Sequence, residues 1–154
     1  MRPSLLVAGL SLLLAILLSA VYFHFRPPAG ADVPLFSAPP VACGTALEAC
    51  LSEIEGRQIR FRLPRAAAYL KSFPVRVSLQ GFGEVDTVVV RFEMRDMNMG
   101  YNSVSLARGE SGWQGEAILP LCASGRQDWL ATVTIQARGM RYQAVFGFEV
   151  KAGE

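Results

Sequence analysis

The sequence predicts an antiparallel β-sandwich preceded by one membrane-spanning helix. Residues 5–25 form an apolar run without a formally charged residue. Seven later segments place apolar residues at every second position and are separated by glycine-containing turns. Alternation with a period of two is typical of half-buried strands, and several short strands in series favour a sandwich.

The apolar run at residues 5–25 is long enough to cross a bilayer, whose hydrocarbon core requires about 20 helical residues. A cleaved signal peptide is the alternative, because Ala29-Gly30-Ala31 resembles a small-residue cleavage site. The apolar region of a signal peptide is shorter, at about 7–15 residues, so we predict an uncleaved anchor. Under either interpretation the C-terminal part is exported. With an uncleaved anchor, the chain is a single-pass membrane protein.

The part of the chain beyond the anchor is formally neutral. The chain has 15 basic and 13 acidic residues, and Arg2 and Arg26 flank the anchor, which leaves 13 residues of each sign. This balance argues against a nucleic-acid partner and against a polybasic lipid-binding segment.

Prolines mark the segment that follows the anchor. Five prolines between residues 26 and 42 argue against regular helix and central strand, so we expect a linker there. Within residues 43–55 the pattern predicts a short helix, with Thr45 as N-cap and Glu48 at the capping-box position. The expected organisation is an anchor at 1–25, a linker and cysteine-containing segment at 26–56, and the sandwich at 57–154.

Seven strands are predicted in the sandwich. Each places its apolar side chains on one face, and glycines between the strands supply the positive φ that tight turns require. The predicted strands lie at 58–63, 74–80, 85–94, 102–107, 112–119, 129–136 and 142–150.

Three cysteines, Cys43, Cys50 and Cys122, allow three different single disulfide pairings. We predict the Cys43–Cys50 bond, because closing a short loop costs little entropy and an oxidising compartment permits it. The remaining thiol is then buried, paired between chains or a soft metal ligand. A redox role for the cysteines has less support, because the chain has no Cys-x-x-Cys motif.

The sequence contains few residues that suit catalysis. The single histidine, His24, lies in the apolar run, which excludes Ser-His-Asp, Cys-His and histidine-bound zinc sites from the exported part. No glycine-rich phosphate loop occurs, and no pair of carboxylates has a spacing that suggests acid–base work. We therefore expect the protein not to be an enzyme.

A methionine-rich segment at residues 93–102 is the candidate site. Met94, Met97 and Met99 fall within six residues at the end of a predicted strand. Thioethers favour Cu(I), and Cys122 on a later loop could complete such a site. Met97 and Met99 share a face if the chain stays extended, whereas Met94 belongs to the core face. The alternative is that the methionines plug the open end of the sandwich.

Two stretches carry a resemblance to known families. Residues 112–120 (GWQGEAILP) and 125–133 (GRQDWLATV) are similar to the second half of the FixH and YtkA-like families. Those families show a glycine and an aromatic residue, a strand ending in Leu-Pro, and a glycine turn before a strand that opens with tryptophan. Residues 97–100 resemble their methionine-containing turn, and an anchor before one exported β-domain resembles FixH. The order of predicted strands and turns over residues 74–150 is similar to that of these families.

The resemblance implies an immunoglobulin-like sandwich on the outer, periplasmic face of a bacterial inner membrane. It also implies copper handling or assembly of a cytochrome oxidase, with an oxidase subunit or a copper chaperone as partner. The resemblance implies that Met97 and Met99, which match the methionine-containing turn of these families, are the candidate copper contacts. The chain departs from metal-binding relatives because it has no nearby histidine and has three additional cysteines. The second hypothesis is therefore an interaction module at the membrane surface that needs no metal.

Overall fold

The structure is a computed structural model that describes residues 14–19, 33–44, 49–64, 67–97, 100, 102–121 and 125–150. The chain forms two compact units, Met1–Asp32 and Val33–Glu154. In the first unit, residues 14–19 are helical, and Leu14, Ile16, Leu17 and Leu18 are each more than half exposed. Among the described residues, no helix combines the length and the apolar character needed to cross a membrane. Most of the expected anchor at 5–25 lies outside the described residues.

The described residues of the second unit form a mostly β structure with ten strands. Their alternating burial pattern follows from the alternating apolar residues, whose side chains point to opposite faces of a strand in turn. The strands are β1 (Leu35–Ser37), β2 (Val41–Gly44), β3 (Cys50–Ile54), β4 (Arg57–Arg62), β5 (Ser72–Gln80), β6 (Thr87–Met94), β7 (Ser103–Gly109), β8 (Gly112–Ile118), β9 (Asp128–Ala137) and β10 (Met140–Glu149).

The ten strands form one hydrogen-bonded sheet in the order β1-β10-β9-β6-β7-β8-β5-β4-β3, with β2 also paired to β10. Strands β1 and β2 run parallel to β10. Strand β7 connects two halves of this sheet, because residues 103–106 pair with β6 and residues 107–109 pair with β8. We call β1, β2, β10, β9 and β6 the first half, and β8, β5, β4 and β3 the second half.

The two halves of the sheet face each other across the core. Phe61 of β4 stacks on Phe146 of β10 with ring centroids 5.0 Å apart. Phe73 of β5 meets Phe92 of β6 edge to face at 6.2 Å. All four rings are buried, and full burial of such a side chain contributes about 1.5–3 kcal/mol to folding. The core therefore lies between the halves and holds them together.

The seven strands predicted from the sequence are confirmed as β4 to β10, with ends that differ by a few residues. The two-residue connections between them also follow the sequence pattern. Arg138 and Gly139, with φ of 50° and 72°, link β9 to β10, and two successive positive φ values are typical of a type I′ hairpin.

The helix predicted at residues 43–55 is wrong. Residues 41–44 belong to β2 and residues 50–54 to β3, while 45–48 lie outside the described residues. Cys50, Ser52 and Ile54 alternate inward, and β3 pairs with β4 across a hairpin whose turn residues Glu55 and Gly56 have φ of 51° and 70°. Pairing and burial of a strand outweigh a capping-box signal, because helix propensity amounts to only tenths of a kcal/mol per residue.

The proline-containing segment expected to be a linker includes two short strands, β1 and β2. Pro34, Pro39 and Pro40 lie just outside these strands. Among the described residues, both strands pair with β10 alone. Such an edge position leaves one side of a strand without ladder hydrogen bonds, which is where neighbouring prolines are tolerated.

The predicted disulfide between Cys43 and Cys50 is confirmed, with the two Cα atoms 5.8 Å apart. It joins β2 of the first half to β3 of the second half. Strand β3 is last in the strand order, and β2 pairs with β10 near the other end of it, so the bond links the two halves on the side away from β7.

Reducing this disulfide should lower the free energy of unfolding by about 2–3 kcal/mol, because the bond limits the unfolded chain and closes a short loop. Urea unfolding of the full chain, followed by tryptophan fluorescence with and without dithiothreitol, measures the change. The double variant Cys43→Ala with Cys50→Ala is the control, since the same reductant should not alter its unfolding. A wild-type midpoint that does not move would contradict a stabilising role.

Replacing Ser52 by alanine should stabilise the domain. Ser52 is 6% exposed, and its Oγ has no hydrogen-bond partner in the described structure. An unsatisfied buried hydroxyl costs about 1–3 kcal/mol, so its removal should raise the free energy of unfolding by about 1 kcal/mol. Ser105→Ala, at an exposed position of β7, should change it by less than about 0.5 kcal/mol. A lower stability in Ser52→Ala than in Ser105→Ala would show that the hydroxyl is satisfied.

Candidate functional site

The candidate site begins with a tight turn at the end of β6, formed by Met94, Arg95, Asp96 and Met97. The backbone N–H of Met97 donates to the carbonyl oxygen of Met94 at 3.3 Å. Asp96 adopts φ of 59°, which the third position of a type II turn requires and which aspartate tolerates better than most residues. The two methionines form an isolated antiparallel bridge. We call these four residues the methionine turn.

The methionine turn changes the arrangement expected for an extended chain. Met97 lies directly across from Met94, and residues directly opposite each other in an antiparallel pair project to the same side. Met94 is 2% exposed and continues the core face, as predicted. Met97 is half-buried and packs against the same core. Met99 and Cys122, the other two predicted ligands, lie outside the described residues.

The methionine turn rests on a buried tryptophan. Trp129 of β9 lies opposite Met94 in the strand register and is 1% exposed. Its indole N–H donates to the hydroxyl of Tyr69 at 3.3 Å. That hydroxyl lies 3.1 Å from the carbonyl oxygen of Arg126 and 3.4 Å from that of Val150, so it donates its own proton there. The polar atom of the largest buried side chain is thereby satisfied, and the ring beneath the turn is held in place.

A cleft of about 280 Å³ opens beside the methionine turn. Gly147 lies between Ala42 on β2 and Leu130 on β9. Because glycine and alanine have small side chains, they leave space above the sheet for the cleft. Its charged groups come from three residues, Arg95, Asp128 and Glu149.

Arg126 forms an ion pair with Asp128 at this edge of the cleft. Its Nε donates to Asp128 Oδ1 at 2.8 Å, and its Nη2 contacts Oδ2 of the same carboxylate. These hydrogen bonds lower the pKa of Asp128 below its usual value. The stability that the pair contributes is therefore present above the ordinary pKa of aspartate, and it is lost as pH falls through the lowered value. Aspartate is an anion at neutral pH already at its ordinary pKa, and the lowered pKa of Asp128 extends that state to more acidic pH.

The chemistry available at the turn is that of sulfur. In the described part of the chain, no three histidine, cysteine, aspartate or glutamate side chains come together in a group that could hold a metal ion. Thioethers are soft donors that suit Cu(I) and bind hard cations poorly. The turn therefore brings together two side chains of the type that a cuprous ion prefers.

Compared with protein-family models, curated proteins and solved structures, this chain gives no match. Its function has to be inferred from its residues and their geometry.

Sequence reasoning did not find the contacts that support the methionine turn. Tyr69 and Trp129 are 60 positions apart, so no local pattern signals their hydrogen bond. The cleft depends on the register that sets Gly147 beside Leu130. The pair Arg126 and Asp128, two positions apart, is the one feature that spacing and charge could have indicated.

Replacing Tyr69 by phenylalanine should lower the free energy of unfolding by about 1–3 kcal/mol, because the buried indole N–H of Trp129 loses its acceptor. Thermal or urea unfolding measures the loss. Tyr142→Phe is the matched control. The Tyr142 hydroxyl contacts only the Met140 sulfur among the described residues, at 3.5 Å, and sulfur is a weak acceptor. Equal losses in the two variants would contradict the supporting role of Tyr69.

Proposed function

We propose that this protein is a membrane-anchored accessory protein of the periplasmic side, which binds Cu(I) through thioethers and supplies it during assembly of a respiratory oxidase. The observation that carries the proposal is the methionine turn, in which Met97 lies across from Met94 at one end of the domain. Met97 and Met99 are the proposed contacts, with Met94 or Cys122 as a further donor.

The anchor and the export of the domain have separate support. The helical residues 14–19 expose four large apolar side chains, which is unfavourable in water and favourable in lipid. The disulfide between Cys43 and Cys50 is of a kind that persists in oxidising compartments. Both observations support an exported domain attached to the inner membrane through residues 5–25.

The domain itself is proposed to be an immunoglobulin-like sandwich, consistent with the resemblance to FixH and YtkA-like proteins. Support comes from the two halves of the sheet, which face each other through Phe61 and Phe146. The parallel pairing of the first strands with the last strand, β10, also supports it. In such a fold the strand ends and turns are the surfaces free for binding, and the methionine turn is one of them.

The positions of Met94 and Met97 support transfer better than storage. Met94 is buried, whereas Met97 is half-buried at the edge of the core. A cuprous ion bound through Met97 at this edge, with Met99 as the second proposed contact, has few thioether ligands and can pass to a partner by exchange of one thioether at a time. Flexible methionine side chains suit such exchange.

Anaerobic titration of the full chain with Cu(I), against a chromogenic cuprous chelator, tests the proposal. We expect a Kd on the order of 1 μM or below, because thioethers are soft ligands. The variant Met97→Ala with Met99→Ala should lose this binding. Met140→Ala, a methionine of β10 outside the candidate site, should keep it. Equal affinity in the double variant and the wild type would eliminate the methionine site.

The second candidate function is a metal-free interaction module. Leu70, Ile118 and Leu121 are each more than half exposed. They lie close together, because the N–H of Leu70 donates to the Leu119 carbonyl oxygen at 2.9 Å. Co-purification of an oxidase subunit that survives the double methionine substitution, and is lost in Leu70→Ser with Leu121→Ser, would favour this function over copper binding.

A further inference from the structure

Three arginines lie together on the outward face of the second half of the sheet. Arg62 of β4 is directly opposite Arg76 of β5, and Arg60 is two positions before Arg62 on the same face. All three side chains are exposed. We call Arg60, Arg62 and Arg76 the arginine patch.

The arginine patch is not held in ion pairs by its neighbours among the described residues. Two carboxylates lie diagonally across the register on the same face, Glu53 from Arg60 and Glu116 from Arg76, and neither forms an ion pair with the patch in the part of the chain that the structure describes. Like charges directly opposite each other in an antiparallel pair are destabilising. The pair of Arg62 and Arg76 therefore lowers the stability of the fold, and no ion pair among the described residues offsets the repulsion.

A small cavity lies between the two opposed arginines. Arg62 and Arg76 are the last residues paired between β4 and β5. If the same register continued for two more residues, Pro64 would lie opposite Pro74. Proline has no N–H, so the pairing of β4 and β5 ends here. The cavity that this leaves has about 90 Å³ and is lined by Arg62, Leu63, Pro64, Pro74 and Arg76. Its volume is that of roughly three water molecules at about 30 Å³ each.

We propose that Arg62 and Arg76 form a binding site for a carboxylate of an acidic segment in a partner protein, with Arg60 contacting a second acidic side chain of that segment. The guanidinium group presents donors in a planar fork that matches a carboxylate, and two of them flank one cavity. The site is independent of the methionine turn, and it holds whether or not the protein binds copper.

A protein partner fits the arginine patch better than an anionic membrane surface does. Clusters of about 4–8 basic residues are typical of lipid recognition, whereas this patch has three in an exported part that is formally neutral. The cavity between Arg62 and Arg76 also suits a single anionic group. Specific placement of a few charges is typical of protein recognition.

Fluorescence polarisation with a labelled hexaglutamate peptide tests the site on the full chain in a non-ionic detergent at low ionic strength. Arg62→Gln with Arg76→Gln should weaken binding of the peptide by about tenfold or more. Arg108→Gln with Arg138→Gln is the control, since it removes the same charge from exposed positions outside the patch and should weaken binding by less than about twofold. The patch variant should unfold at the same or a higher temperature than the wild type, because repulsion is relieved.

Three results would overturn the proposal. The first is equal weakening in the patch and control variants, because net charge alone would then explain binding. The second is no measurable binding of hexaglutamate to the wild type. The third is displacement of the labelled peptide by dioctanoyl phosphatidylglycerol at lower concentrations than by unlabelled hexaglutamate, because the site would then be one for a lipid headgroup.

Discussion

The burial of two strand faces against each other is the interaction on which the described domain depends. Phe61 and Phe146 meet at the centre of this contact, and Phe73 and Phe92 extend it. Neither half of the sheet could bury its apolar face alone, so each requires the other. Strand β7 joins the halves on one side, and the disulfide of Cys43 and Cys50 joins them on the other. One apolar core, the pairing of β7 with both halves and one disulfide thus set the frame.

This frame leaves the turns and the outward faces for function. The methionine turn ends β6, where Met94 pairs with Trp129, and the indole N–H of Trp129 is satisfied by Tyr69. The arginine patch lies on the outward face of β4 and β5, where burial does not decide the residue type. One surface presents soft donors and the other presents positive charge. The two can act on different molecules, because different strands carry them.

Much of the fold was predictable from the sequence. The predictions that were wrong concern residues whose conformation is set by a partner strand or a turn. Strands β4 to β10 alternate strongly, so their existence followed from periodicity alone. The spacing of Thr45 and Glu48 predicts a helix over residues 43–55, whereas residues 50–54 form β3, which is held by its partner β4. At the site, the residue types were predicted but not their arrangement. The turn through Arg95 and Asp96 moved Met97 across from Met94, and a pattern that assumes an extended chain does not contain such a turn.

The sequence by itself determined the β class, and it predicted the short-loop disulfide and sulfur as the available soft ligand. These depend on local alternation, on loop length and on which residue types are present. The tertiary structure alone decided which strands are neighbours, and therefore which side chains meet. Arg62 and Arg76 oppose each other, and Tyr69 reaches Trp129, only because strands distant in the chain pair and pack. Such contacts follow from the mutual burial of whole faces, which no short stretch of sequence records.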